Sequence, residues 1–204
     1  IKFMSRKNKE YGRRIRLTPE EEALILNHRR TSNVGIIGDT HEPFCHPEYR
    51  NFCYEVFNRF GCTEIVHIGD ECDNAALSYH ESELEMPNAV REAEQAQKAM
   101  EKWYKTFPDV KVCVGNHSAL PFRQATTAGI PKRYLKTYEE IWNAPEGWSW
   151  KMEWEIDNVL YVHGTGSSGQ SGARNRAIAN RQSTVIGHSH SFGGVAYMAS
   201  RNDI

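Results

Sequence analysis

Five short segments of the chain end in side chains suited to metal ligation, and each comes directly after a short apolar run. They read Gly38-Asp39-Thr40-His41, Gly69-Asp70-Glu71-Cys72-Asp73, Gly115-Asn116-His117, Val162-His163-Gly164 and Gly187-His188-Ser189-His190. An apolar run followed by loop residues marks the place where a buried strand stops and a loop begins. Asp, Asn and His gathered at strand ends supply the oxygen and nitrogen donors that a two-metal hydrolytic site requires.

The rest of the chain reads as a scaffold for those loops. Segments 34–38, 64–68 and 110–114 predict strands that deliver Asp39, Asp70 and Asn116. Helical periodicity through Tyr49, Phe52, Val56, Phe57 and Phe60 predicts a helix over 47–60, ended by Gly61. Segment 87–107, rich in Ala, Glu, Gln and Lys, predicts a long helix, and 120–143 predicts short helices broken at Gly129 and Pro131. Segments 148–156 and 159–162 flank Asp157-Asn158, a hairpin-turn pair, and the second arm delivers His163. Trp148, Trp150, Met152 and Trp154 alternate along the first arm, which places them on one core-facing side. After a Gly/Ser loop over 164–172, a helix is expected over 174–181, a strand over 184–186 that delivers His188 and His190, and another strand beginning in 194–199. Strand–helix alternation that gives way to a hairpin predicts an α/β fold with a pair of mixed sheets and helices outside.

At 204 residues the chain suits one domain with a good core. Its formal charge of −1 shows no global bias towards nucleic acid or membrane. Residues 2–16 are dense in Lys and Arg, so 1–17 is expected to be a basic flexible arm ahead of a domain over 18–204. Thr18-Pro19-Glu20-Glu21 supplies a cap, a proline for the first helical position and acids for the first turn of a helix that reaches about His28. No apolar run approaches the ~18–20 residues of a membrane span, and residues 1–12 lack the apolar centre of a secretory signal. The cysteines, Cys45, Cys53, Cys62, Cys72 and Cys113, are odd in number and include no C-x-x-C; they read as reduced thiols of a cytoplasmic protein. Cys113 is expected in a buried strand, and Cys72 reads as a small filler residue.

In order and spacing the five segments resemble the calcineurin-like metallophosphoesterase superfamily, whose pattern is D-x-H, G-D-x-x-D, G-N-H followed by an acid, a lone H, and G-H-x-H. The resemblance spans 34–190. It implies a four-layer α/β/β/α sandwich of two mixed sheets flanked by helices, and hydrolysis of phosphate esters by metal-activated water. It also implies two divalent transition-metal ions, Mn2+ first, with Fe, Zn, Ni or Co as alternatives; the histidine-rich donor set agrees with a transition metal. By the same resemblance Asp39, His41 and His190 hold one ion, Asn116, His163 and His188 hold the other, and Asp70 bridges both. His117 faces the substrate and protonates the leaving group or stabilises the transition state, while Asp73 stands behind the ligands. Relative to the family, one or two further strands are expected after the last motif. Ser118 stands where the family has an acid, which removes the charge expected to orient His117.

Asp39-x-His41 and His188-x-His190 each place two side chains on one side of an extended segment, and a bend at the latter lets its rings serve different ions. Arg174 and Arg176 follow the glycine loop at a helix start, where a phosphate would be received. With the basic arm, they favour a phosphodiesterase or nuclease, with nucleic acid as a candidate partner. The alternative is a phosphomonoesterase acting on a phosphoprotein or small metabolite; a non-catalytic scaffold is opposed by the complete ligand set. His67 reads as a packed histidine, and His28, His46 and His80 as exposed. Trp142, Trp148, Trp150 and Trp154 read as core packing rather than a base-stacking platform.

Overall fold

The computed structural model describes residues 18–19, 32–79, 88–167 and 169–196. The chain divides into a unit Ile1–Thr31 and a unit Ser32–Ile204; every element below belongs to the second. The expected basic arm, the rest of the helix begun at Thr18, and His28 and His80 lie outside the described residues.

The second unit is α/β, with two sheets flanked by helices. Strands β1 (Val34–Ile37), β2 (Glu64–His67), β3 (Val110–Cys113) and β4 (Trp148–Lys151) form a four-stranded sheet in that order, all parallel. Strands β5 (Glu153–Ile156), β6 (Val159–Val162) and β7 (Ser183–Ile186) form a three-stranded sheet, antiparallel between β5 and β6 and parallel between β6 and β7. The expectation of two mixed sheets therefore holds for the second sheet only. The first is wholly parallel because helical crossovers connect β1 to β2, β2 to β3 and β3 to β4.

Alternation along the first sheet separates two apolar layers. Ile37, Ile65, Val110 and Val112 pack with Cys53, Met100, Trp103 and Phe107 on the helical side. Val34, Val66 and Cys113 point the other way and pack with Trp154, Ile156, Val159, Tyr161 and Val185 of the second sheet. The central strands are thus covered on both faces, as a parallel sheet requires. Helix α1 (Tyr49–Phe60) ends at Gly61, whose φ of 61° suits the left-handed cap. Its buried face is Tyr49, Cys53 and Phe57, spaced by four; Phe52 and Phe60, which belong to the same helical periodicity, are exposed. Phe57 lies so close to Gly35 that a Cβ there would sit 2.9 Å from the ring. Helix α2 (Ala89–Thr106) starts at Asn88, whose side chain accepts from Arg91 N–H, and buries Glu92, Ala96, Met100 and Trp103. Helices α3 (Leu120–Thr127) and α4 (Tyr138–Ile141) fill the crossover to β4, with a 3-10 turn at Lys132–Tyr134 between them. Helix α5 (Gly172–Asn180) packs on β7.

One long strand was expected over 148–156, and the structure breaks it. β4 belongs to the first sheet and β5 to the second, and the chain bends at Met152, which is 69% exposed. Trp148 and Trp150 are buried in the helical-side core, as is Trp142, while Trp154 packs between the sheets. The hairpin forms at Asp157 and Asn158, both left-handed, as a two-residue turn of this kind requires. The strand expected from 194 does not begin within Gly194–Ala196, and 197–199 lie outside the described residues. Cys72 and Cys113 are buried, and all five cysteines are free. Among the described residues no helix is long and apolar enough to cross a membrane.

Candidate metal centre

Each motif lies within three residues of a strand's last residue: Asp39 after β1, Asp70 after β2, Asn116 after β3, His163 after β6 and His188 after β7. β1, β2 and β3 run parallel, so their loops leave from one edge. Main-chain bonds stitch the loops together: His41 N–H donates to Asp70 O, Glu42 N–H to Glu71 O, and Gly187 N–H to His163 O. His41, Asp70 and His188 have φ of 48°, 50° and 66°. Left-handed backbone at non-glycine residues is strained and gathers at functional sites. It also corrects the extended reading of Asp39-x-His41, which turns at His41, while the bend expected in His188-x-His190 falls at His188.

The expected ligands come together in two groups that share no residue. Asp39, His41 and His190 form one, and Asp70, His163 and His188 the other; within each, one ligand atom per residue lies within 4.8 Å of the rest. Asn116 joins the second group through Oδ1, 2.9 Å from His163 Nε2. The two rings of the last motif separate as expected, His188 beside His163 and His190 beside His41, each pair 5.0 Å apart between centroids. Asp70, the expected bridge, lies with the second group.

Hydrogen bonds fix which atoms are spoken for. Asp39 Oδ2 accepts from His188 N–H at 2.9 Å and lies 3.1 Å from His190 Nε2, while its Oδ1 is buried without a hydrogen-bond partner. His41 Nδ1 donates to Asp73 Oδ1 at 2.6 Å, and its Nε2 is likewise buried without a partner. His163 Nδ1 faces the Ile68 carbonyl at 3.1 Å, so it carries the hydrogen. Nε2 then turns towards two oxygens, Asn116 Oδ1 at 2.9 Å and Asp70 Oδ2 at 3.0 Å. A neutral ring would set three lone pairs against one another in a site where His163 is wholly buried. A cation among them, or a second proton on the ring, removes that conflict. The residues therefore fit divalent metal ions, with imidazole nitrogen, carboxylate and amide oxygen as donors.

Charges follow this geometry. Burial pushes His163 down, but the hydrogen bond and charge of Asp70 outweigh it and raise its pKa. Burial would raise Asp70, but His163 and His117 hold its carboxyl low. Burial and the neighbouring His163 lower His188. Asp70 Oδ1 accepts from His117 N–H at 2.7 Å and Ser118 N–H at 3.2 Å, which leaves Oδ2 for the site. A Cβ on residue 115 would stand 2.0 Å from Asp70 Oδ1, so glycine is required there.

His117 is oriented by a residue that the sequence reading assigned no such part. Its Nδ1 donates to the Asp73 main-chain carbonyl at 2.6 Å and lies 3.2 Å from the Asp73 carboxylate. The Asp73 carboxylate is the main cause that raises His117 to about 9, with the main-chain bond adding to it and burial opposing. Asp73 is in turn held low by His117 and His41, which overcome its own burial. Ser118 is turned elsewhere: its hydroxyl donates to Glu71 Oε2 at 2.6 Å. The acid missing at 118 is thus not missing from His117.

The remaining polar residues brace the loops. His67 accepts from Gly69 N–H at Nδ1, and its Nε2 lies 3.0 Å from Thr40 Oγ1, which itself donates to Glu71 O. The ring is buried, in agreement with a packed histidine, and burial keeps it neutral. Glu92 accepts from Ala75 and Ala76 N–H at 2.6 and 2.8 Å, pinning the 3-10 turn Ala75–Leu77 that follows Asp73. An acid inside the buried stripe 92/96/100/103 is the sequence signal that marks it. His46 is exposed.

Beside the first group opens a cavity of about 550 Å³ whose lining includes Asp39, Gln170, Arg174, His188, His190 and Phe192. Arg174 is therefore placed next to the candidate ligands; Arg176 is not among the lining residues, and its Nε is buried without a partner. Comparison with protein-family models, with curated proteins and with solved structures finds no match.

Proposed function

We propose that this chain is a binuclear metal-dependent phosphoesterase of the calcineurin-like metallophosphoesterase kind, acting first on phosphodiesters, nucleic acids included. The observation that carries the reading is the convergence of five strand-end motifs into two donor groups with buried, unpartnered ligand atoms at Asp39 Oδ1 and His41 Nε2. The inner apolar layer shared by the parallel and mixed sheets, with helices on the other faces, supports the α/β/β/α sandwich that goes with it.

In this reading Asp39, His41 and His190 hold one ion, Asn116, His163 and His188 hold the other, and Asp70 serves both. Bound divalent ions supply a hydroxide at neutral pH and neutralise phosphate charge. The residues do the rest. His117, with Nδ1 committed to Asp73, offers Nε2–H to the departing oxygen of the ester. Arg174 on the cavity wall receives a phosphate oxygen. Asp73 holds both His41 and His117, so ligand and proton donor keep a fixed relation.

The test is turnover of bis(p-nitrophenyl) phosphate, p-nitrophenyl phosphate, and single- and double-stranded nucleic acids with added Mn2+. Diester hydrolysis abolished by EDTA and by Asp70→Asn is expected. Hydrolysis of the monoester alone would move the activity to the phosphomonoesterase class, and metal uptake without turnover of any substrate would leave a scaffold.

A further inference from the structure

Asp70 and Glu71 are consecutive acids, and both are almost completely buried, at 1% and 0% exposure. Asp70 has its place in the donor groups. Glu71 has none, and a buried carboxylate without a task costs stability. Burial pushes it up to about 7, and the Ser118 hydroxyl only partly offsets that. Its partner is specific. Ser118 Oγ accepts from Gly115 N–H at 3.3 Å and donates to Glu71 Oε2 at 2.6 Å. The hydroxyl is therefore used in both directions, and it closes the turn from Gly115 to Ser118. That turn carries Asn116 and His117, and its amides at His117 and Ser118 grip Asp70 Oδ1. Glu71 also reaches the first motif, since its carbonyl accepts from Thr40 Oγ1 and Glu42 N–H.

We propose that Glu71, acting through Ser118, is a positioning residue for the second donor group: it fixes the Gly115–Ser118 turn so that Asp70 Oδ2 and Asn116 Oδ1 converge on His163 Nε2. The inference rests on the metal-centre reading above. It goes beyond that reading in making the two donor groups unequal: the side chains of Asp39, His41 and His190 have no hydrogen bond to Glu71 or Ser118, and the first ion depends on the link only through Asp70 and the main chain of Glu71.

The experiment measures Mn2+ binding and metal-free thermal unfolding for wild type, Ser118→Ala, Glu71→Gln and the double variant. Ser118→Ala deletes one hydroxyl and little volume, so the fold is retained. It is expected to weaken the second ion by about 10–100-fold, the usual range for a group that orients a ligand, and to weaken the first ion, which shares only Asp70 with it, by much less. Glu71→Gln keeps an acceptor oxygen for Ser118 and is expected near wild type. The double variant should match Ser118→Ala, since both changes address one link. Weakening of both ions in step with a lowered metal-free melting temperature would make the pair a structural brace only and overturn the proposal. Wild-type affinity for both ions in Ser118→Ala would overturn it as well. A wild-type chain that takes up no Mn2+ would instead remove the metal centre, and with it this inference. None of these readings depends on turnover.

Discussion

His117 Nδ1 donates to the main-chain carbonyl of Asp73 at 2.6 Å and lies 3.2 Å from its carboxylate. With that nitrogen committed, Nε2 is the atom free to serve chemistry. The Asp73 carboxylate favours the protonated ring, in agreement with the raised pKa of about 9. A positioned acid helps most when the leaving group is a poor one, such as a sugar alkoxide, and little for p-nitrophenolate. His117→Ala is therefore expected to cost about 10²–10⁴-fold on a dinucleotide diester and much less on a nitrophenyl diester. Steady-state kinetics on both substrates checks this. Equal losses would mean that the ring binds phosphate without donating a proton. Asp73→Asn retains the main-chain acceptor, so it should lose less than His117→Ala on the dinucleotide.

The donor groups also predict how metal affects the fold. Asp39 Oδ1 and His41 Nε2 are buried and unpartnered, and His163 Nε2 faces two oxygens. Ions that satisfy these atoms bind the folded chain only. At one hundred times the dissociation constant, one site stabilises by about 2.7 kcal/mol. For a domain of this size that is about 5–11 °C in Tm. Thermal unfolding after EDTA treatment, then with Mn2+ restored, should show that rise, and Asp39→Asn should reduce it. Mg2+ should give a smaller shift, because imidazole nitrogens suit it poorly. An identical Tm with and without Mn2+ would be incompatible with the site.

Much of the scaffold was legible because local chemistry and long-range structure asked for the same residues. Asp157 and Asn158 both adopt left-handed backbone, and they are residue types that tolerate it. Gly61 ends α1 for the same reason. The break at Met152 was not legible: the alternation from Trp148 to Trp154 continues through it, and only the choice of pairing partner, β3 for one half and β6 for the other, separates the two strands. Phe52 and Phe60 show the opposite failure. Their spacing fits a helix face, but the face that packs is set by Cys53 and Phe57. At the site, the donor residues stand out in the sequence because their types are unusual at strand ends. Their orientation does not, because the turns at His41, Asp70 and His188 decide which neighbour each side chain meets. Asp73 holding His117, and Glu71 holding Ser118, are consequences of those turns.

His67 gives a prediction about acid stability. The ring sits wholly inside the protein, accepting at Nδ1 from Gly69 N–H and donating at Nε2 to Thr40, so it must be neutral. Burial is the main cause that lowers its pKa in the fold from 6.5 to about 3, with His163 and His41 adding to it and Asp70 opposing. Between those two values the unfolded chain binds a proton that the folded chain does not. The contribution is fully present above about pH 6.5, and it is lost as pH falls towards 3. Within that window the group costs up to about 1.4 kcal/mol per pH unit. His67→Gln keeps a donor and an acceptor but does not titrate. It should lower stability at pH 7, because the amide cannot match both bonds, yet lose less than wild type on going from pH 6.5 to 4.5. Urea unfolding of both proteins across that range, with EDTA present throughout to keep metal release out of the comparison, measures the difference in slope. Parallel slopes would mean that His67 takes up its proton without unfolding the loops it braces.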